Sequence, residues 1–163
     1  MRDYVTDHSC DGPLMATARH FEELVCWQLA DQLKTRIYIV AARPQLRADR
    51  RLHDQIREAA ASATSNMAEG FGRYSNAEFL HLLDVARASL NECQDRLNDA
   101  RKRGYIDERE CSELLVLSKR AAGATAGLQR YLRRRLRERR GKSGPLGPNE
   151  KPSNRPPRRR PRE

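Results

Sequence analysis

The chain has 163 residues, 33% of them charged and only 6% aromatic, which is one domain's worth of sequence and enough to bury a core. Its formal net charge of +10 is unevenly placed: residues 133–163 hold 13 Arg and Lys against 3 acidic residues, whereas residues 1–132 hold 19 of each. No stretch approaches the ~20 apolar residues that span a bilayer, and the N-terminus has no apolar signal-like core, so a reduced cytoplasmic setting is the expectation.

Residues 1–16 lack periodicity and contain Gly12-Pro13, which reads as a flexible N-terminal arm before a folded region over 17–140. The first helix is expected from about Ala18 to Ala42, because Phe21, Leu24, Val25, Leu29, Leu33, Ile37 and Val40 recur at steps of mostly three and four. Pro44 stops it by disfavouring helix at the preceding residue. A second helix, about Asp49 to Phe71, carries Leu52, Ile56, Ala59, Ala63 and Met67. Its centre, Ala59 to Ser65, is almost entirely small, which lets a neighbouring helix come close.

The third helix, about Asn76 to Arg103, has the cleanest pattern. Phe79, Leu83, Ala86, Leu90, Cys93, Leu97 and Ala100 form a heptad seam. Lys102, Arg103 and Gly104 suit a helix C-terminus closed by a left-handed residue. Asp107 and Glu110 suit the start of a fourth helix, whose stripe is Leu114, Leu117, Ala121, Ala124, Leu128 and Leu132 and which should fray near Arg140. Four long helices with short connections and no strand-like alternation predict an all-α, antiparallel up-down four-helix bundle. From Gly141 the composition turns to Pro, Gly, Ser and Arg, so 141–163 reads as a disordered basic tail.

Between helices two and three the punctuation is unusually explicit. Gly70 and Gly72 are expected to supply backbone freedom for a helix end and a tight reversal. Ser75 and Glu78 have the spacing of a capping box. Asn66, Glu69 and Arg73 place polar groups beside an apolar face, with Glu69 and Arg73 four apart in the favourable order for an ion pair. On the third helix Arg87 is within reach of Asp84 and Asn91, and Glu92 of Arg96.

The run Asn66-Met67-Ala68-Glu69-Gly70-Phe71-Gly72-Arg73-Tyr74-Ser75, then Glu78-Phe79, then Ala86-Arg87-Ala88-Ser89-Leu90-Asn91-Glu92, closely resembles the bacterial four-helix bundle protein family. That family includes proteins encoded in intervening sequences of large-subunit ribosomal RNA genes and the accessory variability determinants of diversity-generating retroelements. The resemblance covers roughly residues 20–133, with Ser62-Ala63-Thr64-Ser65-Asn66-Met67 and Ala88 departing from the family pattern. It implies a ring-like homopentamer and, in retroelement relatives, a complex with a reverse transcriptase and its RNA template. Asn66, Glu69, Gly70, Gly72, Arg73, Ser75, Glu78, Arg87, Ser89 and Glu92 are the motif residues, read here as structural.

Catalytic machinery is not visible, and the expectation is a non-enzymatic protein without cofactor or metal. Glu78 and His81 have the E-x-x-H spacing of di-iron bundles, but such sites need a second pair and two further glutamates. Cys10, Cys26, Cys93 and Cys111 show neither C-x-x-C nor Cys/His spacing, and Cys93 falls on the core stripe. The arginines remain: Arg133, Arg134, Arg135, Arg137, Arg139 and Arg140 on the fourth helix, and Arg158, Arg159, Arg160 and Arg162 beyond it. Arginine-dense segments bind phosphate backbones with steep salt dependence. The expected function is an oligomeric scaffold that binds RNA through these residues; the alternative is a protein-interaction module with no nucleic-acid role.

Overall fold

The computed structural model describes residues 18–142. The N-terminal arm expected over 1–16, and the tail from residue 143 with Arg158, Arg159, Arg160 and Arg162, lie outside the described residues. A 3₁₀ turn, Phe21–Glu23, precedes α1 (Val25–Ala41), α2 (Pro44–Ala48), α3 (Arg50–Phe71), α4 (Asn76–Lys102) and α5 (Glu108–Lys142). The four long helices form a bundle in which α1 packs on α3 and α5, and α4 packs on the same two. Short connections between α3, α4 and α5 make successive neighbours antiparallel.

The apolar stripes become the core. Phe79, Leu83, Ala86, Leu90, Cys93, Leu97 and Ala100 of α4 are all buried, as are Leu52, Ile56, Ala59, Ala63 and Met67 of α3. From α5 come Leu114, Leu117, Ala121, Ala124, Leu128 and Leu132. The small centre of α3 has the consequence its composition predicts, because α3 and α4 make the most extensive helix pair. At that contact the hydroxyl oxygens of Ser62 and Ser89 approach to 2.9 Å.

Several boundaries differ from the sequence expectation. The first helix does not begin at Ala18: Leu24 is extended (ψ 119) and separates the 3₁₀ turn from α1. That break lets Phe21 fold back edge-on against Trp27, with ring centroids 5.1 Å apart. Pro44 also starts a helix, since a proline at the first position forfeits no intrahelical bond. Asp49 then separates α2 from α3 and caps the latter, accepting a hydrogen bond from the Leu52 N–H at 3.2 Å. The fourth helix runs to Lys142, past the expected fraying point.

The two glycines of the α3–α4 turn do something other than expected. Gly72 is right-handed (φ −74), and among the described residues only Gly104, at φ 75, is left-handed. Gly104 ends α4 as its sequence predicts: its N–H bonds Arg101 O at 2.9 Å and the Tyr105 N–H bonds Ala100 O at 2.9 Å, a Schellman pattern. Gly70 is required for space. It is buried within the last turn of α3, and a Cβ there would lie 2.5 Å from Phe79 Cδ2. The sequence motif is therefore first of all a helix-to-helix contact.

Candidate functional site

The motif residues divide into an exposed turn and an interior polar layer. At the turn, the Arg73 guanidinium donates to the Glu69 carboxylate, and both side chains are about half exposed. Glu69, with the Glu78 charge adding to it, holds the Arg73 guanidinium above its ordinary pKa. An exposed pair of this kind contributes little stability. It lies within one helix end and does not tie the turn to other helices. Ser75 caps α4 by accepting from the Ala77 N–H at 3.3 Å; no reciprocal bond returns from exposed Glu78, so the capping box is half made. Glu78 and His81 are both exposed, and no group of three or more metal-ligating side chains occurs among the described residues.

Inside the bundle Asn66, Arg87 and Ser89 each find a hydrogen-bond partner, whereas Arg96 Nε on α4 is buried without one. Asn66 Nδ2 donates to Ser62 O at 2.8 Å and to Ser62 Oγ at 3.1 Å, and Ser89 Oγ donates to Val85 O at 3.1 Å. Arg87 does not pair along its own helix with Asp84 or Asn91. It reaches across to α5, donating to Gln129 Oε1 at 3.2 Å, while Gln129 Nε2 donates to Asp84 Oδ1 at 2.7 Å. Gln129 is 1% exposed and bridges two charged groups of α4. Its position beside Leu128 on the apolar stripe is the one local sign of this burial. Glu92 stays on its own helix, 3.9 Å from Arg96. The buried thiols are inert: burial pushes Cys26 up to about 11 and Cys93 up to about 12.

The arginines of α5 continue from this layer toward the end of the bundle that holds the α3–α4 turn, beginning with Arg133 one turn beyond Gln129. Cys26, in the first turn of α1, meets Thr125 of α5. Residues 126–142 therefore continue ~25 Å beyond that level, at 1.5 Å per residue. Along this stretch Leu128 and Leu132 keep facing the core and Arg133, Arg134, Arg135, Arg137 and Arg139 are exposed. Between Arg133 and Arg139 those five arginines meet one acidic residue, Glu138. Its carboxylate lies 4.0 Å from Arg134 and 3.9 Å from Arg135, and Arg133 lies 3.9 Å from Asp84. Pairs this loose and exposed leave the guanidiniums able to engage an incoming anion. The Tyr131 ring lies beneath Arg134 and Arg135, 5.7 and 6.0 Å from its centroid. Arg140 belongs to the helix, with its side chain outside the described set.

The sequence profile of the family described as 23S rRNA-intervening sequence protein matches residues 22–125, from the 3₁₀ turn to the middle of α5. That span contains the whole α3–α4 motif and stops short of the arginine-rich end. Among curated proteins no relative matches the chain.

Proposed function

This chain belongs to the 23S rRNA-intervening sequence protein family, and from that premise we propose that it is a non-enzymatic scaffold that self-associates and binds RNA through the end of α5. The supporting observation is the row of exposed arginines from Arg133 to Arg139, held on a helix anchored in the bundle through Leu128, Gln129 and Leu132. A rigid helix fixes the spacing of the cations, and each phosphate contact gains from counterion release. Arg140, Arg158, Arg159, Arg160 and Arg162 extend the same charge along the sequence.

Self-association, as the homopentamer the family resemblance implies, would multiply these contacts through effective concentration. Exposed apolar side chains support an interface on the α1–α5 side. Arg36 bridges to Glu113 at 2.8 Å, and Ile39 and Val116 each follow one partner of that bridge by three residues. They are 64% and 54% exposed. The same pair favours the rival reading, a protein-interaction module without RNA. A reverse transcriptase is the protein partner the resemblance would add.

Replacing Arg133, Arg134, Arg135, Arg137 and Arg139 by Gln separates the readings. Under the proposal the variant keeps its helicity and loses RNA affinity at low salt, and its log-log salt slope falls by up to ~4. Unchanged RNA binding would remove α5 from the function.

A further inference from the structure

A second concentration of arginine lies at the opposite end of the bundle, where α1 ends and α3 begins. Of the five arginines between Arg43 and Arg57, Arg43 is taken up by Glu110, through two 2.7 Å bonds to its carboxylate. Arg47, Arg50, Arg51 and Arg57 have no carboxylate partner among the described residues. Other body arginines do pair: Arg36 with Glu113, Arg101 with Glu108, Arg103 with Asp49 and Arg109 with Glu113. Arg120 and Arg130 on α5 also lack a carboxylate partner among the described residues, so what marks this corner is that four such arginines lie within eleven residues of sequence.

Beside them opens a cavity of about 300 Å³, lined by Tyr38, Ala42, Arg47, His53 and Arg57, at the small end of the ~300–1,000 Å³ range of ligand clefts. No carboxylate lines it. The Arg57 guanidinium carbon stands 5.0 Å from the centroid of the Tyr38 ring, which is 38% exposed. His53 turns its Nδ1 to Asp54 at 2.8 Å. Of the remaining nearby acids, Asp49 is held by Arg103 and Tyr105 at 2.8 and 3.3 Å, and Glu58 is exposed on α3.

An aromatic ring paired with a guanidinium, with a second free arginine and an imidazole around one cleft, matches both halves of a nucleotide. Aromatic rings and guanidinium planes stack bases, and arginines take phosphate. An acidic peptide would use the arginines and leave the ring idle. A duplex keeps its bases stacked and presents none to the cleft. We propose that this pocket binds one unstacked nucleotide of single-stranded RNA, the base against Tyr38 and Arg57 and the phosphate at Arg47. The proposal rests on the reading above that the chain binds RNA, and gives it a contact that tells single strands from duplexes.

The test is fluorescence anisotropy of the full chain with a short oligouridine and with a matched RNA duplex, across a salt series, together with ultraviolet crosslinking of the bound oligouridine. Tyr38→Leu should weaken oligouridine binding about tenfold while leaving the duplex unaffected. The double variant Arg47→Gln/Arg57→Gln, at two exposed positions, should lower the single-strand salt slope by ~0.7, the loss of one phosphate contact. Crosslinks should map to the peptide containing Tyr38. If both variants bind oligouridine like the parent while the α5 glutamine variant loses it, or if crosslinks fall only around Tyr131, the pocket proposal is wrong and the RNA reading stands. A parent chain that binds neither RNA at low salt overturns both.

Discussion

Replacing Gly70 with alanine adds one methyl group where the two most intimately packed helices meet. That Cβ would sit 2.5 Å from Phe79 Cδ2, 3.1 Å from Phe79 Cε2 and 3.2 Å from Leu82 Cβ. The Phe79 ring cannot simply swing away, because it is 8% exposed and packs edge-on against Phe71 at 6.3 Å and 88°. Leu82 Cβ is fixed to the backbone of α4. Relief therefore requires α3 and α4 to part locally, an overpacking cost of ~1–3 kcal/mol. Alanine's better helix propensity offsets at most ~1 kcal/mol, and less in a final turn. The expected net loss is ~1–2 kcal/mol, or ~3–8 °C in Tm. Gly72→Ala is the matched control. Its φ of −74 suits any residue and its nearest new contact is Glu69 O at 3.5 Å, so it should gain ~0.4–1 kcal/mol by restricting the unfolded chain. Urea unfolding followed by circular dichroism, at one fixed protein concentration, reads both. A Gly70→Ala protein as stable as the parent, or a Gly72→Ala protein less stable than it, would refute the assignment of close packing to the first glycine and dispensability to the second.

Other consequences are equally direct. The Leu52 N–H, then the charge of Arg103 and the bonds from Tyr105 and Arg103, hold the Asp49 carboxyl below its ordinary pKa. A depressed folded-state pKa gives stability that is present above the unfolded value near 4 and lost as pH falls through the folded one. Asp49→Asn, which keeps a capping side chain, should flatten the decline of urea midpoint below about pH 4. Gln129→Met leaves Arg87 and Asp84 without their shared bridge and should cost ~1–2 kcal/mol in the same unfolding assay. In a Cys10→Ser protein at pH 8, Cys26, Cys93 and Cys111 should resist a thiol reagent until urea unfolds the chain, because all three are buried and burial raises each thiol pKa. Fast labelling of the native protein would contradict the packing of the core.

The core was legible because its signal is periodic. The seam from Phe79 to Ala100 needs only a helix and one buried face to be placed correctly, and every residue in it is buried. What escaped reading depends on partners distant in sequence. Gln129 bonds Arg87 and Asp84, 42 and 45 residues away, and Arg43 grips Glu110 across 67. No local pattern announces such bonds, and a glutamine beside a leucine stripe reads as surface. Gly70 was noticed for the wrong property: two glycines near a helix end suggest backbone freedom, whereas space against Phe79 depends on how α3 and α4 cross. The break at Leu24 likewise follows from Phe21 folding onto Trp27, which helical periodicity cannot encode. The arginines of α5 stood out by composition alone. The Tyr38 cleft did not, since it joins residues of α1, α2 and α3 that only the folded corner brings together.

The most direct measurement is light scattering after size exclusion on nuclease-treated protein, with and without added single-stranded RNA, at low and high salt. The expected result is a stable oligomer that gains the mass of RNA at low salt and sheds it at high salt. A monomer, or an oligomer whose mass ignores RNA at every salt concentration, would contradict the proposal that this bundle is an RNA-binding scaffold.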